Sequence, residues 1–199
     1  RTTCETSCRT AIMSEDQLIQ KAVSGDADAF GQLVRTYQDR LFTTIGHLVG
    51  DAALAEDVVQ DTFVQAYVKL HSFKGKSSFF TWLYRIAFNI AIDHRRQQRP
   101  AISVEQNPET LGQMQADDDC PSDQMERDER ANLIQEALTS LSEEFRMVLV
   151  LREIEGCDYQ TIAGITNVSV GTVRSRLHRA RALMREAIVR AERRSSSPD

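Results

Sequence analysis

The chain has 199 residues, 41% of them apolar, and a formal net charge of −5, which suffices for packed cores in one ordinary domain or two small ones. No apolar run approaches the roughly 20 residues needed to cross a bilayer, and the N-terminus lacks the apolar core of a secretory signal. Neither membrane insertion nor export is expected, and a cytoplasmic protein is. The average charge conceals a segregation: residues 1–68 carry net −5, 69–100 carry +6, 101–169 carry −11 and 170–194 carry +6. Two compact basic blocks in an acidic chain point to a polyanion as partner, against the plainer alternative of two solvated helix faces.

Helical periods dominate, and no stretch alternates apolar and polar residues long enough to read as a strand, so the expected fold class is all-α. Residues 1–13 are expected to be a disordered extension. Its Cys4 and Cys8 lack a His or Cys partner pair at metal-site spacing, which favours free thiols and no metal. Ser14 followed three residues later by Gln17 is a capping box, opening a short helix with Leu18, Ile19, Ala22 and Val23 that stops at Gly25. Phe30, Leu33, Val34, Tyr37, Leu41, Phe42, Ile45 and Leu48 trace a longer helix to Gly50. Asp51 can cap a third, with Val59, Phe63, Ala66, Tyr67 and Leu70 on its core face. A loop "HSFKGKSS" precedes a fourth helix, whose stripe is Phe79, Trp82, Leu83, Ile86 and Ile90. Residues 14–100 can therefore bury one core as a helical bundle.

Residues 101–128 carry Pro108, Pro121 and the run Asp117-Asp118-Asp119 and few bulky apolar residues, which reads as an acidic linker. A second helical domain is expected over 129–194, with 195–199 as a tail. Its period restarts at Leu133, Ile134, Ala137, Leu138 and Leu141, and Ser142 with Glu143 and Glu144 opens another helix. Asp158 can cap a short helix, Asn167 suits a left-handed turn, and Ser169 can cap a long final helix: the outline of a helix-turn-helix.

Three surfaces carry candidate function. On the last helix Val170, Val173, Leu177, Ala180 and Met184 face the core. Gly171, Thr172, Arg174, Ser175, His178 and Arg179 then point outward. A recognition helix presents such residues to base edges, and arginine bidentate to guanine makes Arg174 and Arg179 the leading readers, with Arg176, Arg181 and Arg185 as phosphate clamps. The alternative is a solvated arginine-rich helix or one docking on an acidic partner. On the fourth helix Arg85, Asn89 and Arg96 lie on a flank. Tyr84 and Phe88 project almost opposite the core stripe; exposed there, beside the basic loop, they would suit unstacked bases, the alternative being that they pack against a neighbouring helix. On the third helix Asp57, Asp61, Val64 and Val68 stand opposite the core face with Gln60 at the edge, a strip of carboxylates and valines fit for a basic protein partner. No Walker loop, H-E-x-x-H or G-x-S-x-G is present, so no catalytic residue and no cofactor are expected.

The segments "DVVQDTF", "FKGKSSFFTWLYRIAFNIAIDHRR" and "DYQTIAGITNVSVGTVRSRLHRAR" give the chain a resemblance to the sigma-70 family of bacterial RNA polymerase initiation factors, in its short extracytoplasmic-function (ECF) group. The resemblance covers about residues 14–194. It implies that Asp57, Gln60, Asp61 and Val64 dock on the clamp helices of the largest polymerase subunit. Phe73, Lys74, Gly75, Lys76, Ser77 and Ser78 would capture a flipped base of the minus-ten element, and Arg85, Asn89, Asp93 and Arg96 would line the melted strand. Thr172, Arg174, Ser175, Arg176, His178 and Arg179 would read the minus-35 element. An anti-sigma factor is implied as a further partner. Some positions depart from the family pattern: Lys76 replaces a common acid, Thr161 a glutamate, and Thr166-Asn167 a Leu-Gly turn. The rival readings are a helix-turn-helix regulator working without polymerase, and an enzyme acting on nucleic acid, for which no carboxylate cluster is evident.

Overall fold

A computed structural model describes residues 13–98 and 121–195. The extension with Cys4 and Cys8, the run Asp117-Asp118-Asp119 and Cys120 lie outside the described residues. All described regular structure is helical: α1 Glu15–Val23, α2 Ala27–Val49, α3 Ala52–Lys69, a 3-10 turn Leu70–Ser72, α4 Phe79–Gln98, α5 Pro121–Ser140, α6 Glu143–Glu153, α7 Tyr159–Thr166 and α8 Val170–Ser195.

The first bundle starts where side chains satisfy free backbone N–H groups. The Ser14 hydroxyl accepts from the Gln17 N–H at 3.4 Å, and Gln17 Oε1 accepts in return from the Ser14 N–H at 3.1 Å, closing the capping box. The Asp26 carboxylate accepts from the N–H groups of Asp28 and Ala29, and Asp51 from that of Leu54; each such cap is worth about 1 kcal/mol. α2 ends at Gly50, whose φ of 79° is the left-handed cap an L side chain resists. The chain can then reverse into α3. α2 is the spine of this bundle: Leu33, Leu41 and Ile45 are fully buried with Val58 of α3 and Leu83 of α4.

In the second bundle Val148 and Leu151 of α6, Ile162 of α7 and Leu177 of α8 are fully buried. Its apolar residues and those of the first bundle form one continuous cluster. The two bundles are packed together, α2 against α5 and α6, and α4 against α7.

Four expectations change. α5 begins at Pro121, inside the stretch read as linker; proline suits a first helical position because its missing N–H would have had no partner there. Tyr67 is 51% exposed rather than core, its ring leaning on Phe30 at 5.1 Å between centroids. Val170, expected to face the core, is exposed at the first turn of α8, before the helix meets α6. Most consequentially, Tyr84 and Phe88 are buried. They do lie opposite the first bundle's stripe, as their spacing requires, but the second bundle is packed over that face of α4.

Candidate functional site

The helix-turn-helix is built by three local devices. The Asp158 carboxylate accepts from the Thr161 N–H at 2.7 Å, which holds its pKa below the usual carboxylate value, and it opens α7 without the glutamate absent at Thr161. Asn167 turns the chain at φ 54°, the only described non-glycine residue in the left-handed region, and its N–H donates to the Ala163 carbonyl. The Ser169 hydroxyl accepts from the Thr172 N–H at 3.1 Å and shares a hydrogen bond of 2.8 Å with the Thr172 hydroxyl. Val173, Leu177 and Ala180 are then fully buried, which fixes the rotation of α8. Arg174, Ser175, His178 and Arg179 are exposed on the opposite side, with Thr172 half-buried beside the cap.

Neighbouring arginines on α8 are held differently. Arg176 is turned toward α6, where its guanidinium meets the Glu144 carboxylate at 2.7 Å and its side chain is only 21% exposed. Arg181 pairs with Glu153 at 2.8 Å. The four outward residues therefore stand apart from a set of guanidinium groups that fasten the helix to its own bundle.

On α3, Asp57, Gln60, Asp61, Val64 and Val68 all face solvent, with both valines 64% exposed. Gln60 donates to Glu56 at 3.3 Å, and Asp61 lies 3.2 Å from His94 Nε2 of α4. Two adjacent exposed valines flanked by carboxylates form a patch with an apolar centre and a charged rim, the anatomy of a protein interface.

The loop before α4 divides into anchors and tip. Phe73 is half-buried between Phe79 and Trp82, at 5.7 and 5.3 Å between ring centroids. Ser78 caps α4 by accepting from the Thr81 N–H at 3.2 Å. Ser77 is half-buried, while Lys74, Gly75 and Lys76 project as the exposed tip. Along α4, Asn89, Asp93 and Arg96 are exposed. Arg85 is already engaged: its Nε and Nη2 donate to the Gly164 carbonyl of α7 at 2.9 and 2.6 Å. A guanidinium at the last turn of a helix satisfies an otherwise free carbonyl and favours the negative end of its dipole.

A centre that the sequence does not announce lies between the bundles. Glu155, in the turn after α6, has a side chain only 3% exposed. It accepts from Arg40 Nε at 2.5 Å, from the Tyr84 hydroxyl at 3.0 Å and from the Thr44 hydroxyl of α2. Burial, with the Glu155 charge adding to it, raises the Tyr84 pKa above its ordinary 10.0, so the phenol stays a donor. Arg40 also lies over the Phe80 ring at 4.9 Å, and the Phe80 ring is tilted against Tyr84 at 4.0 Å between centroids. Nothing in the local sequence marks Glu155, because its partners lie 71 to 115 residues away. Among the described residues no group of three or more His, Cys, Asp or Glu could hold a metal ion, and no helix is long and apolar enough to cross a membrane.

Residues 33–101 match the family described as sigma-70 region 2, and residues 131–184 match sigma-70 region 4. The chain is 39% identical to the RNA polymerase sigma-H factor of Pseudomonas aeruginosa over 87% of this chain and 93% of that protein. It is 34% identical to the ECF RNA polymerase sigma factor SigW of Bacillus subtilis, over 85% and 94%. Among solved structures, the sigma factor RpoE in complex with the anti-sigma factor NepR from Bartonella quintana superposes with a TM-score of 0.64. That likeness comes at 26% identity and covers 80% of this chain and 96% of that one. The two bundles therefore correspond to the two matched regions in order, and the chain belongs to the sigma-70 family of RNA polymerase sigma factors, in its ECF group.

Proposed function

We propose that this sigma factor acts in the cell interior and catalyses no reaction of its own: it lends core RNA polymerase two DNA-reading surfaces and one docking strip. The observation that carries the reading is the rotation of α8. Arg174, Ser175, His178 and Arg179 face outward as a set while Arg176 and Arg181 are tied to α6. Such a helix enters a major groove with its N-terminal outward residues on base edges, so the upstream, minus-35 contact is assigned to this set and Thr172. Arg176 then positions the helix instead of reading a base.

The α3 strip of Asp57, Gln60, Asp61 and Val64 is assigned to the polymerase. Its exposed valines supply apolar area and its carboxylates choose a basic partner. The exposed tip Lys74-Gly75-Lys76, on anchors Phe73, Ser77 and Ser78, and the flank of Arg85, Asn89, Asp93 and Arg96 are assigned to the minus-ten element after strand separation. A protein without nucleotide hydrolysis opens DNA by binding unpaired bases better than paired ones, which shifts the population toward the open form. An anti-sigma factor is proposed as a partner because the structurally similar RpoE is bound by one.

The test is transcription reconstituted with bacterial core polymerase on fragmented genomic DNA, reading transcript 5′ ends with and without the protein. Discrete new starts sharing two upstream elements are expected, and Asp61→Lys should remove them by preventing holoenzyme assembly. Specific DNA binding by the chain alone with no new starts would overturn the assignment, and normal assembly by Asp61→Lys would remove the strip from it.

A further inference from the structure

The tip of the loop before α4 does not set its own position. Lys74, Gly75 and Lys76 are exposed, Gly75 adopts a φ of 65°, and a Cβ added there would meet no atom within 4 Å. The tip is therefore placed by what holds its two ends. At one end the Ser78 hydroxyl caps α4. At the other, Phe73 enters a cluster of rings with Phe79 and Trp82, the last two 5.6 Å apart between centroids. Phe79 is fully buried and rests on Tyr37 of α2 at 5.6 Å, within the range at which aromatic pairs attract.

Tyr37 is in turn fixed from α1. Its ring is buried, and its hydroxyl donates to Glu15 Oε1 at 2.9 Å. Burial, with the Glu15 hydrogen bond and charge adding to it, raises the Tyr37 pKa above its ordinary 10.0, so the phenol stays a donor. Local sequence sets this contact. The capping box of Ser14 and Gln17 fixes the first turn of α1, Glu15 opens that turn, and Leu18, Ile19 and Ala22 are buried as the helix packs on α2. α1 also lies beside the turn Leu70–Ser72, which leads directly into Phe73. The region 2 match begins at residue 33, after α1, and so assigns this helix no part in the site.

We propose that Tyr37 and Glu15 are positioning residues of the base-capture loop, and that α1 is thereby part of the minus-ten apparatus. Glu15 holds the Tyr37 hydroxyl, Tyr37 seats Phe79, and Phe79 with Trp82 seats Phe73, from which the tip hangs. The inference deepens the proposed function and rests on it for the role of the loop. A displaced base is accepted or refused by groups placed to within about 0.5 Å. Lysine is a point charge on a flexible stem, and on a swinging tip it would take any phosphate or base edge within reach. Seating the tip makes it a shaped surface, so the ring cluster governs discrimination at the captured base and not the grip on duplex DNA.

The experiment compares Glu15→Ala, Glu15→Gln and Tyr37→Leu in the full chain. Trp82 is the only tryptophan, so acrylamide quenching of its fluorescence reports the ring seat without DNA or polymerase. Glu15→Ala leaves a buried hydroxyl unpaired and should raise the quenching, as should Tyr37→Leu by removing the ring. Glu15→Gln keeps an acceptor and should restore the value of the unaltered chain. With core polymerase, on a promoter recovered by the genomic transcription assay, Glu15→Ala should lower open complex about fivefold, read by permanganate oxidation of unpaired thymines. Its preference at one minus-ten base should flatten across single-base variants, while holoenzyme assembly and upstream-element binding hold; Glu15→Gln should again restore both. Unchanged base preference in Glu15→Ala and Tyr37→Leu would overturn the inference. So would a loss of assembly and helix content matching the loss of opening, which would leave α1 a contact of the fold only. If the unaltered holoenzyme had no preference at any minus-ten base, the role of the loop would fall, while Trp82 quenching would still decide whether Tyr37 seats it.

Discussion

Arg174 and Arg176 stand two positions apart on α8 and face different partners. Arg174 is exposed on the outward face, whereas Arg176 is held by Glu144. Arg174→Ala should cost about 1–3 kcal/mol of upstream-element binding and relax preference at one base pair, as removal of a bidentate base contact does. Binding measured across single-base variants of the element checks this, and a uniform loss would make Arg174 a phosphate contact. The contrast was only half legible in the sequence. Spacing from Val173 and Leu177 gives the rotation of the helix, but Arg176 lies at the edge of the outward arc. There only the position of Glu144, on a different helix, decides which way a long side chain turns. At Phe73 and Ser78, assigned to base capture by resemblance, the structure adds a ring contact and a helix cap that spacing alone does not give.

At the scale of elements, helix ends were the most legible feature. Ser14, Asp51, Asp158, Asn167 and Ser169 hold the turns their residue types suggest, because capping is decided within three or four residues. The start of α5 was illegible for a complementary reason: a polar, proline-bearing segment offers no apolar period. The join of α2 to α5 carries a further consequence. Gly50 not only adopts the left-handed cap but also admits α5, since a Cβ there would lie 2.7 Å from Thr139 Cγ2. Gly50→Ala therefore combines backbone strain with a steric collision and should cost about 2 kcal/mol, lowering Tm by roughly 2–4 °C per kcal/mol. A thermal melt reads it, and an unchanged Tm would show that the contact with Thr139 yields freely.

For the whole molecule, the all-α class and the two-bundle division followed from periodicity, while the packing of one bundle on the other did not. Tyr84 and Phe88 read as exposed because their cover comes from residues far along the chain, and no local spacing encodes a partner at that distance. The packing between the bundles has a defined response to pH. Burial lifts the Cys157 thiol from 9.0 to about 11, with the Glu155 charge adding to it, and Tyr84 is raised in the same sense. A group whose folded pKa is raised stabilises the fold fully below its unfolded value and loses that contribution as pH climbs through the folded one. The packing around Cys157 and Glu155 is therefore expected to hold unchanged through neutrality and to weaken progressively from about pH 9 to about pH 11 as Cys157 ionises. Hydrodynamic radius and near-ultraviolet dichroism followed over that range would test it, and loosening between pH 6 and 8 would contradict it.

The carbonyl of Leu48, at the end of α2, receives two guanidinium groups: Arg95 of α4 at 3.3 Å and Arg146 of α6 at 2.7 Å. One belongs to each bundle. Arg146 also donates to the carbonyls of Leu138, Thr139 and Leu141 in its own bundle. Arg146 therefore ties its own bundle through three carbonyls besides the one it reaches on α2, and Arg95 meets that same carbonyl at the negative end of the α2 dipole. The last turn of α2 is thus a point where one backbone oxygen is shared by a cation from each bundle, so a single helix end bears on the packing of both.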